Sequence, residues 1–113
     1  MKYFLIVLLL AGSALGVLAN RARGGGPTAA RSAAETYAKS CASCHGKDGR
    51  AKTFKGKLKH ARDLTDPEWQ NKASDERIFN SISNGKGKMP AFAKKLSETE
   101  VNALVNYVRG LRK

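Results

Sequence analysis

Cys41-Ala42-Ser43-Cys44-His45 contains both cysteines of the chain and one of its two histidines. The thiols stand three positions apart and an imidazole follows at once. This is C-x-x-C-H, the attachment sequence for c-type haem. Each thiol can form a thioether to one of the two vinyl groups on a single haem edge. The adjacent imidazole is then held under the ring, where a ring nitrogen can bind iron as the proximal ligand. Anchors and ligand must all reach one rigid disc, so the spacing is tight. Three other chemistries share the thiol spacing. A thioredoxin-like dithiol wants a βαβ setting, and no strand-rich pattern surrounds the motif. Zinc needs four ligands, and beyond Cys41, Cys44 and His45 the only other histidine is His60. A structural disulfide is the third.

The 113 residues predict one domain. A domain of this size buries a limited core by itself, and a bound haem would give short helices a large apolar body to pack around. The formal charge is +12, from 21 Lys and Arg against 9 Asp and Glu. Such a chain is drawn to acidic partners. Nucleic acid is not expected to be among them, because no motif of that kind is present and the aromatic residues are few and scattered.

At the N-terminus, Met1-Lys2 precedes an uncharged run from Tyr3 to Ala19, with Val17-Leu18-Ala19 as a small-residue cleavage site. The pattern predicts a signal peptide over residues 1–19. The alternative is an uncleaved membrane anchor. As a helix the run spans roughly 25 Å, against a hydrocarbon core of about 30 Å, which favours cleavage. Arg21 and Arg23 follow the apolar run, a balance opposite to the positive-inside preference. Either form implies export. Residues 20–28, with Gly24-Gly25-Gly26-Pro27, predict a flexible linker, and residues 29–113 the folded domain.

Within that domain the signals are helical. Ser32-Ala33-Ala34-Glu35 is a capping box, followed by Ala34, Tyr37, Ala38 and Cys41 at helical spacing. The motif then falls at the end of an amphipathic helix, which Gly46 can terminate. Residues 46–65 are weakly periodic and strongly basic, and predict a surface loop. A charge run of this kind is ordinarily a solvated face; its functional reading is a docking surface for an acidic electron-transfer partner. His60 reads as a solvated loop histidine. Thr65-Asp66-Pro67-Glu68 opens a second helix, capped by either Thr65 or Asp66. Ser74 caps a third, with Ile78, Phe79 and Ile82 as its stripe and Gly85 at its end. Ser97-Glu98-Thr99-Glu100 is a second capping box and opens the last helix, whose face is Val101, Leu104, Val105, Val108 and Leu111.

Met89 is the only methionine besides the initiator. A lone methionine is ordinarily core filler. This one lies instead in Gly85-Lys86-Gly87-Lys88-Met89-Pro90, and 44 positions beyond His45, enough chain to cross to the opposite face of a haem. Glycines let backbone approach the ring and Pro90 fixes the turn. Met89 is therefore the expected sixth iron ligand. The single tryptophan, Trp69, has an indole N–H that needs an acceptor if buried. A haem propionate could serve, and so could ordinary core packing.

The chain resembles the small class I cytochromes c of bacterial type. The resemblance rests on Cys41-Ala42-Ser43-Cys44-His45 after a short first helix, Gly87-Lys88-Met89-Pro90, and the final helix ending Leu104-Val105-Asn106-Tyr107-Val108. It implies an all-α fold of about four short helices packed around one covalently attached haem, with the first and last helices crossing. It also implies that Cys41 and Cys44 hold the haem, that His45 and Met89 ligate iron, and that Trp69 and Arg62 are candidates for the propionates.

Two axial ligands leave no site for oxygen or substrate. That points to a one-electron carrier in the periplasm rather than an enzyme, with acidic redox proteins or membrane electron-transfer complexes as partners. A haem subunit of a larger membrane or dehydrogenase complex is the alternative. A sensor or enzyme with a labile Met89 is a third possibility.

Overall fold

The computed structural model describes residues 32–113. The export segment, the linker and the domain start near Ala29 lie outside the described residues. Ser32 caps helix α1 (Ala33–Ser40), accepting from the Glu35 amide while the Glu35 carboxylate accepts from the Ser32 amide. The side chain closing each orphan amide is thus the one that the capping-box pattern names.

The face that α1 buries differs from the one expected. Ala34 and Ala38 are exposed. The covered positions are Ala33, Thr36, Tyr37, Ser40 and Cys41, an i, i+3, i+4, i+7, i+8 stripe. Tyr37 is 2 % exposed and fixes the helix rotation. Its hydroxyl donates to the Gly46 carbonyl at 2.8 Å, and its ring centroid lies 4.8 Å from that of Tyr107. An alanine methyl cannot compete with a ring of that area for the core.

The chain breaks at Cys41, which caps α1 and opens the one-turn helix α2 (Ala42–His45). Gly46 ends α2 at φ +79°, in the left-handed region. The stretch expected as a loop over 46–65 contains another helix, α3 (Phe54–Leu58). Thr53 caps it, its hydroxyl accepting from the Gly56 amide at 2.9 Å. The capping threonine is legible, but α3 has no buried apolar stripe: its only buried residue is Gly56, and Phe54 and Leu58 face solvent.

Asp66 rather than Thr65 caps α4 (Pro67–Lys72), accepting from the Glu68 amide at 2.9 Å with Pro67 at the first helical position. Thr65 is engaged elsewhere, donating to Asp63 Oδ1 at 2.7 Å. Ser74 caps α5 (Asp75–Asn84), which buries Ile78 and Ile82. The capping box of Ser97 and Glu100 opens α6 (Glu98–Gly110), which buries Val101, Leu104, Val105 and Val108. Helix α6 packs on α1 and on α5. These faces form one core with Tyr37, Leu64 and Phe92. Among the described residues there is no strand, and no helix is long and apolar enough to cross a membrane.

A polar clamp closes the far end. Gln70 is buried, and its amide nitrogen donates to the carbonyls of Leu64 and Val108, both at 2.8 Å. Arg109 donates to the Gln70 carbonyl and side-chain oxygen, to the Ala73 carbonyl, and to Asp75 at 2.7 Å. One guanidinium thereby ties α4 and the start of α5 to the end of α6. Arg109→Ala is expected to lower stability by about 3 kcal/mol, because it leaves part-buried oxygens without donors. Denaturant unfolding would check this, and a loss below half a kcal/mol would exclude the clamp as a stabilising element.

Candidate functional site

Helices α1, α2, α4, α5 and α6 and the loops after α3 and α5 wall a cavity of about 500 Å³. Native interiors contain few voids larger than a water molecule, whereas cofactor pockets run to about 300–1,000 Å³. Cys41, Cys44, His45 and Met89 all face this space, with Leu64, Ile78, Ile82, Phe92, Leu104 and Val108 supplying apolar walls. Trp69 and Arg62 line it as well. Every residue singled out from the sequence thus meets at one cavity. His60 also reaches it, from an exposed position at φ +53°.

The break at Cys41 has a chemical consequence. An unbroken helix would put Cys41 and Cys44 one turn apart along a single axis. Starting a new turn at Cys41 lets both half-buried thiols and the His45 ring face the same space. Burial and the neighbouring Cys44 push the Cys41 thiol up to about 11, whereas a reactive dithiol needs a depressed value. No group of three His, Cys, Asp or Glu side chains is placed to hold a metal ion among the described residues. The zinc alternative thus finds no support in the geometry of the described residues, and the raised Cys41 thiol does not favour a redox dithiol.

His45 Nδ1 donates to the Arg62 carbonyl at 2.9 Å. A carbonyl can only accept, so the ring proton sits on Nδ1 and the Nε2 lone pair is free to bind a metal. Burial holds the imidazole below its ordinary value, against the opposing pull of that hydrogen bond, which keeps the neutral, ligating form. The Arg62 contribution seen here is a main-chain one. Its side chain is an exposed part of the lining. The sequence gives no warning of the contact, since it joins residues 17 apart through a backbone atom.

Two further residues shape the site from behind. The Thr53 hydroxyl lies 2.8 Å from the Ser43 carbonyl and 3.0 Å from the Cys44 carbonyl. Gly56 is buried so closely against α2 that a Cβ there would stand 2.1 Å from the Cys44 oxygen. The α3 backbone is therefore in direct contact with the carbonyl edge of the Cys-His turn.

On the other side, Gly85 ends α5 at φ +76° and lets the chain fold back, its Cα facing the Met89 carbonyl. Lys86 and Met89 exchange both backbone hydrogen bonds, at 3.1 and 2.9 Å, around Gly87 and Lys88. Gly87, at φ +56°, takes the first central position of this two-residue turn. Phe92 and Ala93 then donate to the carbonyls of Ile82 and Ser83 at 3.0 Å. Met89 is thus presented by a loop pinned on both sides.

The family model described as cytochrome c oxidase, cbb3-type, subunit III matches residues 28–108. The chain belongs to this family of c-type cytochrome domains. The c-type cytochrome KustC0563 has a solved structure that is 42 % identical to the chain, with a TM-score of 0.68, over 74 % of this chain and all of that one. The cbb3-type cytochrome c oxidase subunit FixP of Azorhizobium caulinodans is 38 % identical over 88 residues, 77 % of this cytochrome and 29 % of FixP. Cytochrome c6 of Microcystis aeruginosa is 37 % identical over 75 residues, 61 % of this cytochrome and 80 % of that one. The chain spans less than a third of the length of the FixP relatives that it matches. The all-α cytochrome c fold expected from the sequence is therefore the fold present, with haem c as its cofactor. The helix count differs from the expected four, because the first helix is broken at Cys41 and α3 was not foreseen.

The loop end of α3 offers a local test. Ala61 donates to the Gly56 carbonyl at 2.8 Å and His60 to the Lys57 carbonyl at 3.3 Å, the paired bonds that end a helix on a left-handed residue. That residue is His60 instead of the usual glycine. His60→Gly is expected to stabilise the protein by about 0.5–1 kcal/mol, the relief of the left-handed backbone outweighing the added unfolded-state freedom. A drop in the unfolding midpoint would show instead that the His60 side chain stabilises the rim of the cavity.

Proposed function

We propose that this cytochrome is a one-electron carrier of the periplasm, with a single haem c bound in the cavity between α1, α5 and α6. The observation that carries the proposal is the convergence of both thiols, a metal-ready His45 Nε2 and Met89 on one apolar cavity. Haem c, when bound, supplies an iron centre that takes up and gives back one electron. Cys41 and Cys44 would anchor it covalently, His45 would serve as proximal ligand and Met89 as the sixth. Trp69 and Arg62 are the candidates to meet the propionates.

The residues divide the work of a carrier. With both His45 and Met89 holding the iron, no open coordination site would be left for a substrate, and the site would move electrons without making or breaking substrate bonds. The soft thioether of Met89 favours the ferrous state. The apolar walls from Ile78, Ile82, Leu104 and Val108 act in the same direction, since burial disfavours the extra charge of the oxidised state. The proposed carrier is therefore fairly oxidising. Its positive charge would steer brief encounters that salt weakens.

The FixP likeness supports a second reading, in which the domain is the haem subunit of a larger membrane complex. Intact mass under denaturing conditions, after expression with haem-attachment machinery, tests the proposal. Residues 20–113 plus one haem would support covalent attachment and signal cleavage. The full-length chain plus one haem would favour the anchored form. A chain without haem would overturn the assignment of Cys41 and Cys44.

A further inference from the structure

We propose that the outer face of α3, centred on Phe54 and Leu58, is the docking surface for an acidic redox protein; this rests on the electron-carrier reading and names its partner surface. The described residues hold 17 basic against 9 acidic side chains, a net charge of +8. Six of those charges lie in the fourteen residues from Gly49 to Arg62, as Arg50, Lys52, Lys55, Lys57, Lys59 and Arg62, with no acidic residue among them. All six are exposed. The two ion pairs among the described residues, Lys72–Glu68 and Arg109–Asp75, lie elsewhere. The remainder of the described chain carries 11 basic and 9 acidic side chains, so most of the excess charge is concentrated on and around α3, with Asp48 and Asp63 at its edges.

At its centre stand two apolar side chains one helical turn apart. Phe54 is 80 % exposed and Leu58 58 % exposed, the large hydrophobic residues that the described surface leaves uncovered. An exposed phenylalanine and leucine cost solubility and do nothing for this core. Their backbone is nonetheless rigid. Thr53 and Gly56 fasten α3 to the carbonyls of Ser43 and Cys44. Lys88, in the loop that presents Met89, donates to the Leu58 carbonyl at 3.2 Å. The patch is thus tied through the Thr53 hydroxyl to the Cys-His turn and through the Lys88 ammonium to the methionine loop. The chain leaves it through Lys59 and His60, which line the cavity. An apolar centre with a charged rim beside a redox site is suited to fast encounter followed by brief, desolvated contact.

Charge complementarity selects the occupant. A second copy would bring the same positive pole and be repelled. The N-terminal stretch of this chain carries Arg21, Arg23 and Arg31 and no acidic residue, so it is repelled too. An anionic lipid surface would match the charge. Two side chains on a five-residue helix, however, bury little apolar area compared with a membrane-binding amphipathic helix. A protein with acidic groups around an apolar recess satisfies both halves of the patch.

The test uses the full-length holoprotein and a reduced plant-type [2Fe–2S] ferredoxin, an acidic one-electron donor, as the probe. One electron given up by the cluster is taken up by the ferric cytochrome, and no bond is made or broken. The rate is followed by stopped flow across a range of salt concentrations. Phe54→Ser/Leu58→Ser is expected to lower the second-order rate constant about tenfold with the salt slope retained. Lys52→Gln/Lys55→Gln/Lys57→Gln is expected to lower it about tenfold at low salt and flatten the slope. Reduction of the same variants by a small uncharged reductant, and their absorption spectra, should match the parent. A rate unchanged by the Phe54/Leu58 variant would overturn the proposal. So would co-sedimentation with phosphatidylglycerol vesicles that this variant abolishes while leaving the ferredoxin rate intact, which would transfer the patch to a lipid surface. A parent protein that takes up no electron from the small reductant would refute the carrier reading itself, a result distinct from both.

Discussion

Met89→Ala is expected to convert the reduced cytochrome into a form that binds carbon monoxide rapidly, with a lowered reduction potential and a changed absorption spectrum. The expectation follows from the loop geometry. Met89 is held toward the cavity by its paired backbone bonds to Lys86 and by the return of Phe92 and Ala93 onto α5. The loop holds no sulfur substitute, since there is no other methionine among residues 32–113 and both cysteines belong to the Cys-His turn. In the proposed ligation, loss of the thioether would remove a soft ligand that stabilises the reduced state. Axial ligation spans roughly 0.8 V across haem proteins, so the fall should stand well clear of the error of a titration. The backbone of the turn does not depend on the side chain, and global stability should change less than the potential does. A variant with the parent spectrum and potential would remove Met89 from the iron.

Gly56→Ala carries the second large effect, and helix propensity predicts the opposite sign. Alanine in place of glycine inside a helix gains about 1 kcal/mol from propensity alone. At this position the new methyl would lie 2.1 Å from the Cys44 carbonyl oxygen, 2.8 Å from Thr53 Oγ1 and 3.0 Å from the Ala51 carbonyl oxygen. These are mostly backbone atoms of a short, tightly bonded segment and cannot swing aside as a flexible side chain would. Overpacking costs about 1–3 kcal/mol where side chains can adjust, and more is expected where α3 must lift off α2. We expect a net destabilisation of about 3 kcal/mol in denaturant unfolding of the holoprotein, together with a poorer yield of covalently loaded protein. A stabilised Gly56→Ala variant would mean that α3 is not seated against the Cys-His turn.

The parts of this molecule legible in its sequence are those encoded over a few residues. Cys41, Cys44 and His45 announce the cofactor by spacing. Ser32 with Glu35, and Ser97 with Glu100, announce helix starts because a capping box is a four-residue device. The stripe of α6 follows from a 3.6-residue period. Local sequence is silent where a contact with distant chain decides. Tyr37 turns α1 so that Thr36 and Ser40 are covered and Ala34 and Ala38 are not, which polarity alone reverses. Helix α3 was hidden because its lysines face water and its one buried position is a glycine. The choice between Thr65 and Asp66 as cap turned on Asp63, which had already claimed the Thr65 hydroxyl. The bond from His45 to the Arg62 carbonyl and the 39-residue reach from Arg109 to Gln70 have no local signature at all.

The position of α6 also bears on the order in which the molecule can be made. A polypeptide is synthesised from its N-terminus, so Cys41 and Cys44 emerge well before Leu104 and Val108, which wall the cavity beside them. The Arg109 clamp that secures that wall follows it in the sequence. Until then both thiols stand in a chain with an unfinished side. With α6 undocked, Cys41 and Cys44 would stand open on the side that Leu104 and Val108 otherwise wall, so access to the thiols is governed by the seating of the last helix.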